Sequence, residues 1–225
     1  MDYKQSVTKI LQKIHLEEQK GIKPPQEALE KIIITKVKTQ NIKDAKSMGI
    51  NIEGYYHEIS NYFIRHVLKS HGNERKETSR GNLPVKDEDF IQIPVIIESP
   101  DYIIYGAKRN NENRIIYIKH IEDGTIFYFE EILTGKNNKT LRGNTMYKSK
   151  KILNEAGVIA NISINRKTDI SKIKITGMDG RQIHQYSQSR LTKRQLLPFS
   201  VPVSEHTRYL KYAVFFLSCQ VFIMP

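Results

Sequence analysis

The chain of 225 residues has no tryptophan, and its one cysteine is Cys219. A single cysteine excludes a disulfide bond within the monomer and a zinc site built from several cysteines, so stability must come from an apolar core. The chain also lacks an apolar run of about eighteen residues, which a membrane-spanning helix would need. Residues 1–15 show neither the apolar segment nor the small-residue cleavage site of a secretory signal peptide. The sequence therefore predicts no membrane partner.

Acidic residues are few relative to basic ones: 24 Asp and Glu stand against 36 Lys and Arg, which gives a net charge of +12. The excess is concentrated in residues 151–225, which hold 11 basic and 4 acidic residues. Basic proteins bind polyanions readily, because fixed positive charge displaces counterions from phosphates. The same excess also fits a basic, solubilising C-terminal segment. Charge alone therefore leaves nucleic-acid binding open.

The first 53 residues predict two helices and carry no evident chemistry. Residues 3–20 place apolar side chains at helical spacing, and Gly21 would end that helix. Pro24 and Pro25 fit the start of a second helix that would extend to Ile34. Its β-branched isoleucines argue against a helix, because branching at Cβ restricts the side chain there.

The next helix is predicted over residues 55–72, which contain three of the seven histidines. Its apolar face would pack on a following sheet and consists of Tyr56, Ile59, Phe63 and Val67. His66 would then lie half-buried at the rim of this face, and His71 would lie in the last turn beside Gly72. His57 would point away from both. A histidine near a helix C-terminus also has a purely structural explanation, since the helix dipole favours positive charge there.

After this helix, residues 73–90 predict a loop with a short helical turn at 86–89. Pro94 lies within the apolar run IQIPVII, which therefore fits an edge strand or a helical turn. Four segments then alternate with turns as strands of an antiparallel meander: SPDYIIYGAKR, ENRIIYIKHI, TIFYFEEIL and KTLRGNTMYKSK. Asp123-Gly124 is the strongest hairpin signal among these turns.

Residues 151–225 are harder to interpret. The segments GVIANISINRK and ISKIKITGMDG predict a further β-hairpin, and a polar, basic stretch follows them. The run AVFFLSCQVFIMP is the most apolar in the chain and predicts a buried strand or a docking tail, since it is too short to span a bilayer as a helix.

The predicted fold is therefore α+β. It has N-terminal helices in 1–53, a domain in 54–150 and a β-rich, basic C-terminal extension in 151–225. The central domain would contain a twisted antiparallel sheet of about four to five strands with a helix packed on one face. The other face would stay free to hold a ligand.

Residues 54–150 resemble the phage-associated branch of the barnase–EndoU–colicin–RelE (BECR) nuclease superfamily. These are toxin-type RNases found in phage head-morphogenesis proteins and polymorphic toxins. The resemblance covers a little under half of the chain and follows that family's order of helix, IP–PD element, lysine strand and Thr-x-Tyr strand. The segments that carry it are IRHVLKSHGNE, RGNLPVKDEDF, IPVIIESPDYI, RIIYIKH, FYFEEI and TLRGNTMYKSK.

The resemblance implies a metal-independent endoribonuclease without a cofactor, with RNA, tRNA included, as its substrate. In such enzymes the ribose 2′-hydroxyl is the nucleophile, a base removes its proton, and an acid protonates the leaving 5′-oxygen. The resemblance also implies a toxin that acts in the bacterial cytoplasm after phage delivery or secretion. A cognate immunity or antitoxin protein would be its partner.

The resemblance assigns roles to six residues of this chain. His66 would be the general base or acid, with His71 as its partner or substitute, because histidine titrates near neutral pH. Lys119 would neutralise charge on the phosphate. The residues that would contact the scissile or a neighbouring phosphate are Thr145, Tyr147 and Arg142. Without the resemblance, each of these residues also fits an ordinary surface or packing role on a helix or strand.

Glu130 and Glu131 invite comparison with the general base of barnase-like sites. Nothing in the sequence separates them from a solvated strand edge, so the predicted site excludes them. Two other functions stay open: a non-enzymatic phage structural or nucleic-acid-binding protein with an inactive nuclease-like domain, and a nuclease-fold effector that acts on another substrate.

Overall fold

A long, mostly antiparallel sheet organises the chain in the computed structural model. The structure describes residues 2–22, 30–109, 112–134, 139–166, 172–177 and 182–187. The helices are α1 (Tyr3–Gln19), α2 (Thr39–Ser47), α3 (Asn61–His71), α4 (Glu74–Ser79), α5 (Asp87–Ile91), α6 (Ile93–Glu98) and α7 (Glu155–Arg166). The strands are β1 (Lys31–Lys36), β2 (Tyr56–Ser60), β3 (Asn82–Leu83), β4 (Tyr102–Arg109), β5 (Glu112–Ile121), β6 (Gly124–Leu133), β7 (Thr140–Ser149), β8 (Lys172–Gly177) and β9 (Gln182–Ser187).

Within the described residues, eight strands follow the order β1-β2-β7-β6-β5-β4-β8-β9, and the short β3 pairs with the end of β7. The four predicted strands are confirmed as the antiparallel meander β4–β5–β6–β7, in which each strand pairs with the next one along the chain. The sheet is larger than the predicted four to five strands, since β1, β2, β8 and β9 extend both sides. It is also mixed, because β2 pairs with β7 in parallel.

The predicted helix over residues 55–72 is wrong in its first part. Tyr56–Ser60 forms β2, and α3 begins only at Asn61. The Ser60 side chain marks this boundary by accepting a hydrogen bond from the backbone N–H of Phe63 at 3.2 Å, as an N-cap does. Gly72 is the C-cap, as predicted.

The predicted second helix is also wrong where the structure describes it. Lys31–Lys36 is an edge strand that pairs with β2, which fits the β-branched Ile32, Ile33 and Ile34. Residues 23–29, where Pro24 and Pro25 would start the helix, lie outside the described residues. The first predicted helix is confirmed as α1, and the alternative of a helical turn around Pro94 is confirmed as α6.

The two faces of the sheet carry separate apolar clusters. The first face includes Ile59, Tyr117 and Tyr128, and it packs against α1, α3, α5 and α6. The second face includes Ile116 and Phe129 and packs against α7. The expectation of a free second face is therefore wrong over the part that α7 covers.

Helix α7 replaces the first strand of the hairpin predicted after residue 150. Val158 and Ile162, four residues apart, both bury their side chains against the second face. The helical spacing of these two residues outweighs the β propensity of the run GVIANISIN. The strand predicted from ISKIKITG is confirmed as β8, whereas the apolar run AVFFLSCQVFIMP lies outside the described residues. None of the described helices combines the length and apolar character needed to cross a bilayer.

Candidate functional site

Four charged residues from four neighbouring strands form one line across the second face, which we call the charged row. Arg114 on β5 lies opposite Glu131 on β6, and Glu131 lies opposite Arg142 on β7. Arg142 in turn pairs in register with Glu58 on β2. Residues directly opposite each other project to the same face of a sheet. The row therefore alternates positive and negative charge across the strands.

One half of the row is the ion pair between Arg114 and Glu131. The same Glu131 oxygen accepts a hydrogen bond from the side-chain amide of Asn144 at 2.7 Å. The Arg114 side chain is 6% exposed, and its buried Nε has no hydrogen-bond partner among the described residues. An unsatisfied buried guanidinium N–H is costly, so this half of the row is under strain in the free protein.

The other half of the row is the pair between Arg142 and Glu58. The Nε of Arg142 donates to Glu58 Oε1 at 3.0 Å, and Lys31 lies 3.8 Å from the second oxygen of Glu58. The Arg142 side chain is 30% exposed, whereas that of Glu58 is 8% exposed. Arg142, predicted to hold a phosphate, is therefore the accessible cation of the row.

Thr145 and Tyr147 lie further along β7, and both are buried. Their i, i+2 spacing puts them on one face of the strand, as predicted, and Tyr147 belongs to the second-face cluster. The Tyr147 ring stacks on Phe127 at 4.8 Å between centroids, and its hydroxyl donates to Asn161 of α7 at 2.7 Å. Helix α7 therefore covers this part of the predicted phosphate site.

His71 lies beside Tyr147, with 5.9 Å between the ring centroids. Its Nδ1 is 3.4 Å from Oε1 of the buried Glu77. Glu77 in turn accepts hydrogen bonds from Arg80 at 2.6 Å and from Asn82 at 3.0 Å. A carboxylate held in this way can orient an imidazole and stabilise its protonated form. The structure thus brings His71 and Tyr147 together.

His66 is exposed on α3, whereas a half-buried rim position was predicted. The reason is that β2 contributes Tyr56 and Ile59 to the sheet, so the buried face of α3 is set by Phe63, Ile64 and Val67. The ring of His66 is nearly parallel to that of the neighbouring Tyr62, with 6.4 Å between centroids.

Lys119 projects from the opposite face of the sheet to Tyr147. Along β5 it alternates with Ile118, which belongs to the second-face cluster. Its Nζ donates to the carbonyl of Ser99 at 2.7 Å and lies 3.5 Å from Oδ1 of Asp101. The structure therefore does not gather Lys119 with Thr145 and Tyr147.

His57, which the sequence placed outside any site, is fully buried. Its Nδ1 lies 2.9 Å from Glu130 Oε2, and the Tyr128 hydroxyl donates to Glu130 Oε1 at 3.1 Å. Glu130 is also fully buried, so the interpretation of a solvated strand edge is wrong for it. Burial, and then the Glu130 charge, raise the pKa of Tyr117 and Tyr128 well above the ordinary tyrosine value.

Sequence reasoning missed most of the charged row. Only Arg142 was predicted, and Glu131 was set aside as part of a strand edge. No local signal marked the others, since Arg114 follows Asn113 and Glu131 follows Glu130, so neither alternates with apolar residues on its strand. The row could not be found from the sequence, because it depends on the register between strands. Within the described part of the chain, no three His, Cys, Asp or Glu side chains gather as a metal site would require.

Comparison with known proteins supports one family. No curated protein and no solved structure matches the chain significantly. A family model described as "phage-Barnase-EndoU-ColicinE5/D-RelE like nuclease3" matches residues 35–156, which is more than half of the chain and includes the whole charged row. This match begins before residue 54 and ends after residue 150, so it extends beyond the segment that first suggested the resemblance. The chain belongs to this family of phage-associated, barnase–EndoU–colicin–RelE-like nucleases.

Proposed function

We propose that the protein is an endoribonuclease that cleaves RNA at the charged row. The observation that supports this proposal is the alternation of Arg114, Glu131, Arg142 and Glu58 across four strands of one sheet face. Two guanidinium groups can hold a phosphate through charge-assisted hydrogen bonds, and the carboxylate between them can accept a proton. A nuclease of the phosphoryl-transfer type needs these two capabilities within one site.

The reaction proposed is attack of a ribose 2′-oxygen on the adjacent phosphorus. The P–O2′ bond forms and the P–O5′ bond breaks, which leaves a 2′,3′-cyclic phosphate and a free 5′-hydroxyl. A base takes the 2′-hydroxyl proton, and an acid donates a proton to the 5′-oxygen. Arg142 and Arg114 would stabilise the negative charge that develops on the phosphate oxygens.

Glu131 is our candidate for the base. His71 is our candidate for the acid, although its neighbour Tyr147 pairs with Phe127, about 13 Å along β6 from Glu131, so this role requires substrate binding to bring the two groups together. The Asn144 and Arg114 contacts hold the Glu131 carboxylate in place, and Glu77 orients the His71 ring. His66 stays a prediction that rests on the family resemblance. It is tested by the same assay as His71.

Lys119, Thr145 and Tyr147 also stay predictions. Thr145 and Tyr147 lie on the same face as the row, so a substrate that displaces α7 would meet both of them. Lys119 projects from the other face of the sheet, and the proposed reaction does not require it.

The test is cleavage of a single-stranded RNA, of total RNA and of tRNA by the full chain in the presence of EDTA. We expect products with 2′,3′-cyclic phosphate ends and no cleavage of an RNA that carries 2′-deoxyribose at the cleavage position. Replacing Glu131→Gln should reduce kcat by 10²–10⁴-fold, the usual range for loss of a general base. His71→Ala and Arg142→Ala should also reduce kcat, while Lys43→Gln on the distant α2 serves as the control.

The free energy of unfolding of each variant, measured in urea, distinguishes a variant that loses activity at unchanged stability from one that loses activity because it unfolds. A wild-type protein that binds RNA without cleaving it would contradict the proposal and support the non-enzymatic alternative. The burial of Thr145 and Tyr147 beneath α7 is the observation that favours this alternative. Dependence of cleavage on a divalent metal would contradict the metal-independent mechanism.

The family resemblance also supports a toxin role with a cognate immunity or antitoxin partner. Induced expression of the full chain in bacteria should arrest growth, and Glu131→Gln should relieve the arrest. Equal arrest by wild type and variant at equal protein levels would argue against RNA cleavage as its cause.

A further inference from the structure

A second basic feature lies away from the charged row, in a cleft between α1 and the C-terminal half of α3. The cavity measures about 600 Å³, which is within the usual range for small-ligand pockets. Its lining includes four basic side chains against one acidic one: His15, Arg65, Lys69, Lys76 and Glu18. We call it the α3 cleft.

The cations of the α3 cleft differ in how far the protein already neutralises them. Arg65 forms an ion pair with Glu17, yet its buried Nε has no hydrogen-bond partner among the described residues. His15 lies 2.8 Å from Asp87. Within the described part of the chain, Lys69 and Lys76 form no ion pair, so both ammonium groups are available to an anion. The cleft therefore offers two unpaired ammonium groups to an anion.

The outer surface of α3 adds a stacking platform to these cations. Tyr62 is 68% exposed, and the His66 ring lies at an interplanar angle of 14° to it. Tyr62, His66 and Lys69 follow each other at steps of four and three residues, so they form one stripe along the helix. Lys69 belongs both to this stripe and to the cleft lining. Exposed aromatic rings interleaved with cations are a typical surface for single-stranded nucleic acid.

We propose that the α3 cleft and the Tyr62–His66 stripe form a binding subsite for nucleotides of single-stranded RNA outside the cleaved bond. A base stacks on Tyr62, and the phosphates next to it bind Lys69 and Lys76. Gly72 and Asn73 line the cleft directly after His71, so the subsite adjoins the proposed acid at the end of α3. The inference rests on the proposed function for the identity of the ligand as RNA.

Binding is tested with a single-stranded RNA of about twelve nucleotides that is 2′-O-methylated throughout and so resists cleavage. Fluorescence anisotropy over a series of salt concentrations gives the affinity and its salt slope. Lys69→Gln and Lys76→Gln should each reduce the slope of log K against log salt by about 0.7, the value for one phosphate contact on a single strand. Tyr62→Ala should weaken binding on the order of ten-fold and leave the slope unchanged. Lys43→Gln, an exposed lysine on α2, is the matched control and should change neither quantity.

Cleavage kinetics distinguish failure of this inference from failure of the proposed function. On a long RNA the three cleft variants should raise KM, and on a dinucleotide they should match the wild type. A wild-type protein that cleaves RNA while all three variants keep its KM and salt slope overturns the subsite and leaves the nuclease. The opposite result is a wild-type protein that cleaves no RNA but binds it more tightly, or with a steeper salt slope, than the three cleft variants. That result overturns the nuclease and leaves the subsite.

Discussion

The hydrogen-bonded pair of His57 and Glu130 is the most deeply buried histidine–carboxylate contact among the described residues. Both side chains are at most 1% exposed, and the Nδ1–Oε2 distance is 2.9 Å. Taking charged or strongly polar groups out of water is costly, so such a pair contributes stability mainly when both partners are present. The Tyr128 hydroxyl satisfies a further lone pair of Glu130.

Removing one partner of this pair should therefore destabilise the fold strongly. We expect Glu130→Leu to lower the free energy of unfolding by about 3–5 kcal/mol, because His57 would lose its partner inside the core. The double change His57→Phe with Glu130→Leu should cost less than the sum of the single changes. Urea unfolding of the two single variants and the double variant measures this coupling. A cost below about 1 kcal/mol for Glu130→Leu would contradict the argument.

The junction between β2 and α3 determines which side chains face the core. Ser60 ends the strand and caps the helix, so the chain changes from a two-residue to a 3.6-residue repeat at one position. Ile59 therefore reaches the first-face cluster from the sheet, and Phe63 reaches it from the helix.

The cap at this junction has a measurable energetic contribution. Ser60→Ala should lower the free energy of unfolding by about 1 kcal/mol, because the Phe63 N–H loses its acceptor. Ser70→Ala, a change of the same chemistry within α3, should have almost no effect. Thermal or urea unfolding of the two variants provides the comparison. Equal stability of both variants would show that another group replaces the cap.

The predictable elements are those with strong local signals. The strands β4 to β7 could be predicted because Asp123-Gly124 and similar turns separate short alternating runs. The β2–α3 boundary could not, because Tyr56, Ile59, Phe63 and Val67 also fit one helical face. Helix α7 was missed because four of its twelve residues are β-branched, and only contact with the sheet decides between helix and strand.

The candidate site could be predicted only in part, because its residues meet through the pairing of strands that are far apart in the sequence. Arg142 and His71 could be named from the family resemblance, but their neighbours could not. Glu58 lies 84 positions before Arg142 in the chain, and only the parallel pairing of β2 with β7 brings the two together. The spacing between such residues in the sequence contains no information about this contact.

The first-face core contains several tyrosines, and they affect the whole molecule at alkaline pH. Burial raises the pKa of Tyr3, Tyr105, Tyr117 and Tyr128 above the ordinary value. The unfolded chain releases these protons near pH 10, whereas the folded chain retains them. Stability is therefore unaffected below about pH 10 and falls as the pH rises above it, by up to roughly 1.4 kcal/mol per pH unit for each tyrosine.

Urea unfolding between pH 8 and 11 should show this loss. Absorbance at 295 nm should report ionisation of these four tyrosines only together with unfolding. Tyr117→Phe should reduce the slope of stability against pH, whereas Tyr62→Phe, at an exposed position, should not. A stability that stays constant up to pH 11 would contradict the burial of these hydroxyl groups.

The parallel pairing of β2 with β7 also has a consequence for the order of events during biosynthesis. The charged row needs Glu58 from β2 and Arg142 from β7, so it cannot be complete before residue 142 has left the ribosome. Chains emerge from their N-terminus, and contacts between distant residues form late because loop closure precedes them. A nascent chain of this protein therefore carries an incomplete row until β7 has been made, beside the very class of molecule that we propose as its substrate.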